Sequence, residues 1–325
     1  MTRVAHPVPR IDALQFVAPS RAVFEEMRAG GVDAVHITVS YHEGFRDTVG
    51  ALAAWNRQFQ DHGDLILRGT SAADIDHARA TGRTAIFFGA QNPAPIEDDI
   101  GLVEILHQLG LRFMQLSYNN QSLLCSGCYE AEDTGLTNMG REVVTEMNRV
   151  GLVIDMSHSG DRSRREAIDA SARPIAITHA NPADWHDVPR NVRADTIAAL
   201  AARGGMLGFS LYPLHLAGGS DCTLEALTAM IARVADQVGT AALGIGSDLC
   251  QGQPDSALAW MRDGRWRKTG GGAVQFPEPP KFFQSNSQFP GLAEGLRARG
   301  FDAADTDAIL GGNWYRFFSE SFEPA

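Results

Sequence analysis

Nowhere among the 325 residues do about 18 apolar positions follow one another, the length that a membrane-spanning helix needs. The opening residues, MTRVAHPVPRID, also lack the apolar stretch of a secretion signal, so the chain reads as a cytoplasmic protein. Basic charge is scarce: 28 Lys and Arg stand against 39 Asp and Glu, a net charge of −11. That balance offers no phosphate-binding footprint and disfavours nucleic acid and anionic membrane surfaces as partners, leaving a small-molecule substrate as the default. Four cysteines are too few to build a disulfide framework in a chain of this size. Two of them, Cys125 and Cys128, form a lone CxxC inside the polar loop NNQSLLCSGCYEAEDTG. No second pair and no nearby histidine pair completes a structural zinc shell, and a redox CxxC would open a helix after a strand, so both read as buried or loop thiols. Missing too is a glycine-rich phosphate loop after the first apolar run, where FVAPSRAVFEEM stands instead; an open dinucleotide-binding sheet is thereby disfavoured.

With 44% hydrophobic residues the chain can bury a large core. Short apolar runs bounded by turn residues predict strands at 10–17, 33–40, 84–91, 113–119, 152–159, 174–180, 206–213 and 242–249. Helical patterns lie between them, from RAVFEEMRAG to TLEALTAMIARVADQVG, and several end in glycine, as helix C-termini often do. Strands apolar on both faces that alternate with helices indicate a parallel sheet covered by helices. Eight such units predict a (β/α)8 TIM barrel over about residues 10–250, within one domain spanning 1–325. A C-terminal extension, 251–325, contains the proline- and glycine-rich stretch RWRKTGGGAVQFPEPPKFF. That stretch is too long for a simple connection and reads as a lid or an oligomer contact compatible with a homodimer. Two helical segments, PGLAEGLRARG and DTDAILGGNWYRFFSES, should pack on the barrel wall.

In such a barrel the carboxyl ends of the strands face the active site. Those ends are Leu14 or Phe16, Ser40, Gln91, Tyr118, His158, His179, Tyr212 and Asp248. A histidine at a strand end is more often a hydrogen-bonded structural residue than a ligand; two on neighbouring strands, in VIDMSHSG and PIAITHAN, bring metal binding and structural roles to even weight. Asp248 follows the Gly-Ile-Gly strand of GIGSDLC and could bind metal or act as general base, against a plain helix N-cap. Tyr118 could donate to a developing oxyanion or be rim packing. Gln91 stands where a carboxylate could bridge two cations, yet an amide carries no charge. Arg190, in the loop DVPRNV, could clamp a substrate carboxylate or be a solvated loop charge.

Taken in order, GLTNMGREVVTEMNRVGLVIDMSHSGDRS, PIAITHANP, VPRNV, GIGSDL and the closing GGNWYRFF resemble the renal (membrane) dipeptidase family, peptidase family M19 of the amidohydrolase superfamily. The resemblance implies a (β/α)8 barrel and, in typical members, two zinc ions that hydrolyse dipeptides. It matches His158 and His179 to ligands of one zinc, Asp248 to the carboxylate that helps hold the other and moves the proton, and Arg190 to the residue that holds the substrate carboxylate. The departures are as plain. The family's His-x-Asp on the first strand falls on Leu14 and Phe16, with Asp12 keeping the preceding acidic position; its bridging glutamate falls on Gln91 and its oxyanion-stabilising histidine on Tyr118. A binuclear zinc centre is therefore not expected, and one zinc on His158 and His179 is the most the site could hold. The expectation is a dipeptidase-like hydrolase of a small carboxylate-bearing amide with one metal or none, using Asp248, His158 and Tyr118 in catalysis and Arg190, Gln91 and Asn191 on the substrate. The alternatives are a metal-independent isomerase, tautomerase or lyase on a small carboxylate compound, and a ligand-binding pseudoenzyme.

Overall fold

The computed structural model describes residues 6–265, 267 and 274–323. Its centre is a parallel sheet of nine strands: β1 (Ile11–Gln15), β2 (Ala34–Ser40), β3 (Ile66–Arg68), β4 (Thr84–Ala90), β5 (Leu111–Gln115), β6 (Val153–Asp155), β7 (Ala176–Ile177), β8 (Met206–Phe209) and β9 (Leu243–Ile245). Eight of these close into a barrel. β2 pairs directly with β4, and β9 returns to β1 with Asp12 opposite Ile245. The eight predicted strands are all present and all belong to the barrel. The three residues of β3 pair only with the start of β4 and lie beside the barrel as an addition.

The strands are apolar on both faces because both are covered. One face meets helices such as α5 (Asn138–Val150), which buries Val143, Val144, Met147 and Val150 along one stripe. Its start is capped by the Thr137 side chain, which accepts from the Gly140 N–H, and its end by Gly151 in the left-handed region at φ 82°. The other face fills the barrel, with Ile11, Ala34, Ala85, Phe87, Phe113, Val153, Ala176 and Met206 in one cluster. Trp314, Phe317 and Phe318 of α12 (Asn313–Ser321) join that cluster and plug the amino-terminal end of the barrel. The Trp314 indole donates to the Ile245 carbonyl at 3.1 Å, and a Cβ at Gly244 would lie 2.1 Å from the same nitrogen. Trp314 can therefore enter only because position 244 has no side chain.

The C-terminal extension differs from the expected pattern in two ways. The final helical run breaks near Gly311, whose Cβ would strike the Pro9 carbonyl at 2.0 Å, so α11 (Ala303–Asp307) and α12 are separate helices. A helix that periodicity did not signal, α9 (Asp255–Asp263), lies at the carboxyl end of the barrel. Within the proline- and glycine-rich stretch, positions 266 and 268–273 fall outside the described residues. Among the described residues no helix is long and apolar enough to cross a membrane.

Candidate active site

The two strand-end histidines meet. His158 Nε2 lies 3.0 Å from His179 Nε2, and the other nitrogen of each ring is fixed from behind. His158 Nδ1 is 2.7 Å from the Asn119 side-chain oxygen, an acceptor, so Nδ1 carries the hydrogen and Nε2 the lone pair. The Thr178 hydroxyl donates to Asp155 Oδ2 at 2.6 Å and therefore accepts from His179 Nδ1 at 2.8 Å, which leaves the second Nε2 unprotonated as well. Burial, then the neighbouring Arg190 charge, holds both imidazoles well below their ordinary pKa, so they are neutral. Asp155 itself accepts four hydrogen bonds from Ser157 and Thr178, an arrangement that ties β6 to β7 directly beneath the pair.

Asp248 is buried at φ 58°, a left-handed conformation that favours Asp, Asn and Gly, with its N–H donating to the Leu14 carbonyl at 3.0 Å. Burial pushes its carboxyl up to about 7; Arg190 opposes the shift, and the carboxyls of Asp12 and Asp155 reinforce it. Together with Gln91, Tyr118, His158, Arg190 and Tyr212, Asp248 lines one cavity of about 350 Å3. Gln91 donates to the Thr38 hydroxyl at 2.7 Å and to the Tyr41 hydroxyl at 3.2 Å, so its amide nitrogen is engaged away from the cavity. The Tyr118 ring lies 4.1 Å from the His158 ring, and burial followed by the nearby Asp248 raises its hydroxyl well above the ordinary value, keeping it a donor. Phe16 packs edge-on against Tyr41 at 4.9 Å, an apolar contact on the wall where the resemblance placed a missing ligand.

Arg190 reaches the imidazole pair from the loop after β7. Its Nη1 donates to the Ser157 carbonyl, and its Nη2 to His158 Nε2 and the His179 carbonyl, each at 3.2 Å. Three of five N–H donors are thus spent on the floor of the site. Asn191, expected at the substrate, instead gives its whole amide to the backbone. Its oxygen accepts from the Asn181 N–H at 3.1 Å, and its nitrogen donates to the carbonyls of His186 and His215 at 2.8 and 3.1 Å. It shapes the loop and does not line the cavity.

Several site residues escaped the sequence reading. Arg164, in SRREA, reads as a solvated helix charge, yet it is buried and donates to the carbonyls of Met156, Ser157, Arg190 and Asn191, stapling together the loops that carry His158 and Arg190. Asn119, in NNQS, had only its turn chemistry as a signal; it sits at φ 63° so that its side chain can orient His158. His215 lines the cavity with its Nδ1 at 2.8 Å from the Ser210 hydroxyl. Leu258, Met261 and Arg262 arrive on α9, for which the i, i+3 spacing of Leu258 and Met261 in DSALAWMRDG was the available clue.

The fit to zinc can be judged on donors. Two imidazole lone pairs make half of a tetrahedral shell, but an Arg190 N–H points at one of them. Among the described residues no group of three His, Cys, Asp or Glu could hold a metal ion. The residues do not fit a two-zinc group.

A model of the membrane dipeptidase family, peptidase family M19, matches residues 5–259. The chain belongs to that family. An amidohydrolase from Pseudomonas aeruginosa has 35% identity and a TM-score of 0.92, over 97% of each chain. Dipeptidase tcpJ of Claviceps purpurea is 25% identical over 291 residues, which are 89% of this chain and 62% of that relative's length. A metallopeptidase from Rhodobacter sphaeroides, solved with a phosphinate mimic of the dipeptide L-Ala-D-Ala, superposes with a TM-score of 0.80 at 16% identity, over 97% of this chain and 99% of its own. That last likeness is one of fold, and the M19 barrel is what it shares with this chain.

Proposed function

We propose that this M19 protein hydrolyses an amide bond in a small carboxylate-bearing compound of dipeptide size, with Asp248 as general base and without a binuclear zinc centre. The observation that carries the reading is Asp248 itself, a buried carboxyl facing a cavity shared with Arg190 and Tyr118 and titrating near neutrality. An ionised Asp248 takes a proton from water as the water oxygen bonds to the scissile carbonyl carbon. The Tyr118 hydroxyl donates to the oxygen on which charge develops. His158 does not supply that donor, since its Nδ1–H goes to Asn119 and its Nε2 accepts from Arg190. Protonated Asp248 then passes its proton to the leaving nitrogen as the C–N bond breaks, which restores the carboxylate. The remaining Arg190 donors face the substrate's anionic end, and the neutral imidazole pair holds the guanidinium in place.

Support for a reaction without two metals comes from the donor set, with Leu14, Phe16, Gln91 and Tyr118 at the positions that the family resemblance matches to metal or oxyanion groups, and from the commitment of Arg190 to His158. The test is amine release from a panel of dipeptides and N-acyl amino acids by chelator-treated protein. Turnover should survive chelation and fall at least about 10²-fold in Asp248→Asn, as expected for loss of a general base. Turnover that appears only after two equivalents of zinc are added refutes the proposal.

A further inference from the structure

We propose that the cavity selects a substrate with two anionic groups, one received by Arg190 on the floor and the other by Arg262 on the helix α9 that covers the mouth. The inference rests on the location of the proposed hydrolytic site and goes beyond it by naming a substrate class and a specificity residue.

α9 is docked as a fixed roof. The Trp260 indole donates to Glu43 Oε1 at 2.6 Å, and His42 Nε2 lies 3.1 Å from the Met261 carbonyl. Leu258 and Met261 are buried in one cluster with Tyr41 and Tyr118. Those anchors turn the next residue, Arg262, into the cavity lining, where it reaches the Tyr212 hydroxyl. Other cations around α9 have acidic partners: Arg265 meets Asp47 at 2.6 Å and Arg267 meets Asp263 at 2.7 Å. Among the described residues no carboxylate pairs with Arg262, and its place in the cavity wall leaves it to a ligand.

The charge around the cavity points the same way. Its lining holds two permanent cations, Arg190 and Arg262, against a single carboxyl, Asp248. A chain of net charge −11 thus keeps a locally positive cavity. One anionic group on a substrate would balance the buried Arg190 and leave Arg262, exposed at the mouth, without an acidic partner. A dianion satisfies both. An N-acyl or dipeptide substrate ending in Asp or Glu presents two carboxylates on the residue at the nitrogen side of the amide and would fit a cavity of about 350 Å3.

The measurement is calorimetric binding of glutarate and butyrate to the full chain, and to Arg262→Ala and Arg262→Lys. The wild type should bind glutarate about tenfold more tightly than butyrate, the ratio expected for one charge-assisted contact. The ratio should fall to near one in Arg262→Ala and recover in part in Arg262→Lys, with unchanged thermal unfolding in both variants. A wild type that binds neither compound, or binds both equally, overturns the inference, as does an Arg262→Ala variant that keeps the preference. A second readout compares hydrolysis of N-acetylglutamate with that of N-acetylglutamine. Preserved dicarboxylate selectivity with no turnover on any amide would refute the hydrolytic reading and leave the specificity of the cavity standing.

Discussion

Replacing Asp248 by Asn should destroy turnover and at the same time stabilise the protein, by an amount set by pH. An ionised Asp248 has been stripped of water by burial, and the difference between about 7 in the fold and the ordinary 3.8 corresponds to about 4 kcal/mol. The sign follows from which state binds the proton more tightly. Below about pH 3.8 the side chain is protonated in both states and contributes nothing. Between 3.8 and 7 the unfolded chain gives up the proton while the folded one keeps it, so stability falls as pH rises. Above 7 both are ionised and the full cost is present. Asn has nearly the same shape, tolerates the left-handed backbone at φ 58° and never ionises. In urea unfolding at pH 8 the variant should therefore exceed the wild type by up to about 4 kcal/mol, and at pH 4 by almost nothing. The same ionisation governs catalysis, so wild-type kcat/KM should rise with pH through about 7 and then level off. A variant that is no more stable at pH 8 than at pH 4 relative to the wild type would show that Asp248 is not desolvated, and a variant that retains turnover would remove it from the mechanism.

Three further outcomes follow from the same geometry. Asn119→Ala should lower kcat by about 10- to 100-fold with little change in KM, because it frees the His158 ring and with it the Arg190 contact, and it should cost about 1 kcal/mol through the left-handed backbone at φ 63°; unchanged kinetics would reduce Asn119 to a turn residue. Arg164→Met removes the donors from four buried carbonyls and should destabilise the fold by about 3 kcal/mol or more, read by chemical denaturation, whereas a loss under about 1 kcal/mol would mean that other donors replace it. Protein purified without chelator or added zinc should carry less than one zinc per chain by elemental analysis; two tightly held ions per chain would contradict the donor count at His158 and His179.

The barrel was legible because its signals are local. Each strand is a short apolar run ended by turn residues, a helix such as α5 carries its own stripe and caps, and eight repetitions leave few topologies open. The strand-end histidines and Asp248 were legible for a related reason: chain direction alone places them at one end of the barrel. What could not be read depends on contacts between residues distant in sequence. Arg164 has the pattern of a solvated helix charge, and only the meeting of four carbonyls from two loops makes it a buried staple. Asn191 was drawn to the substrate by its neighbour Arg190, whereas the geometry of the loop spends its amide on Asn181, His186 and His215. The role of α9 was hidden because a short amphipathic helix of nine residues beside a proline- and glycine-rich stretch does not reveal which face it covers; the Trp260 to Glu43 contact, 217 residues apart, decides that.

Burial acts on the histidines, tyrosines and Asp248 of the cavity in the same sense, toward the uncharged form. The histidines are pushed down, Tyr118 and Tyr212 up, and Asp248 to the edge of ionisation. A guanidinium alone resists this drive at any ordinary pH, since its ordinary pKa lies too far above neutrality. Arg190 is then the fixed positive charge against the imidazole pair, held by His158, the Ser157 carbonyl and the His179 carbonyl. That placement predicts an order of severity. Arg190→Lys keeps the charge but loses the fork that spans three acceptors, so it should impair kcat nearly as strongly as Arg190→Met, whereas a site that needed only a positive charge would tolerate the lysine. Equal activity of Arg190→Lys and wild type would therefore separate the charge of this residue from its geometry, and would return the imidazole pair to the role of an open metal site.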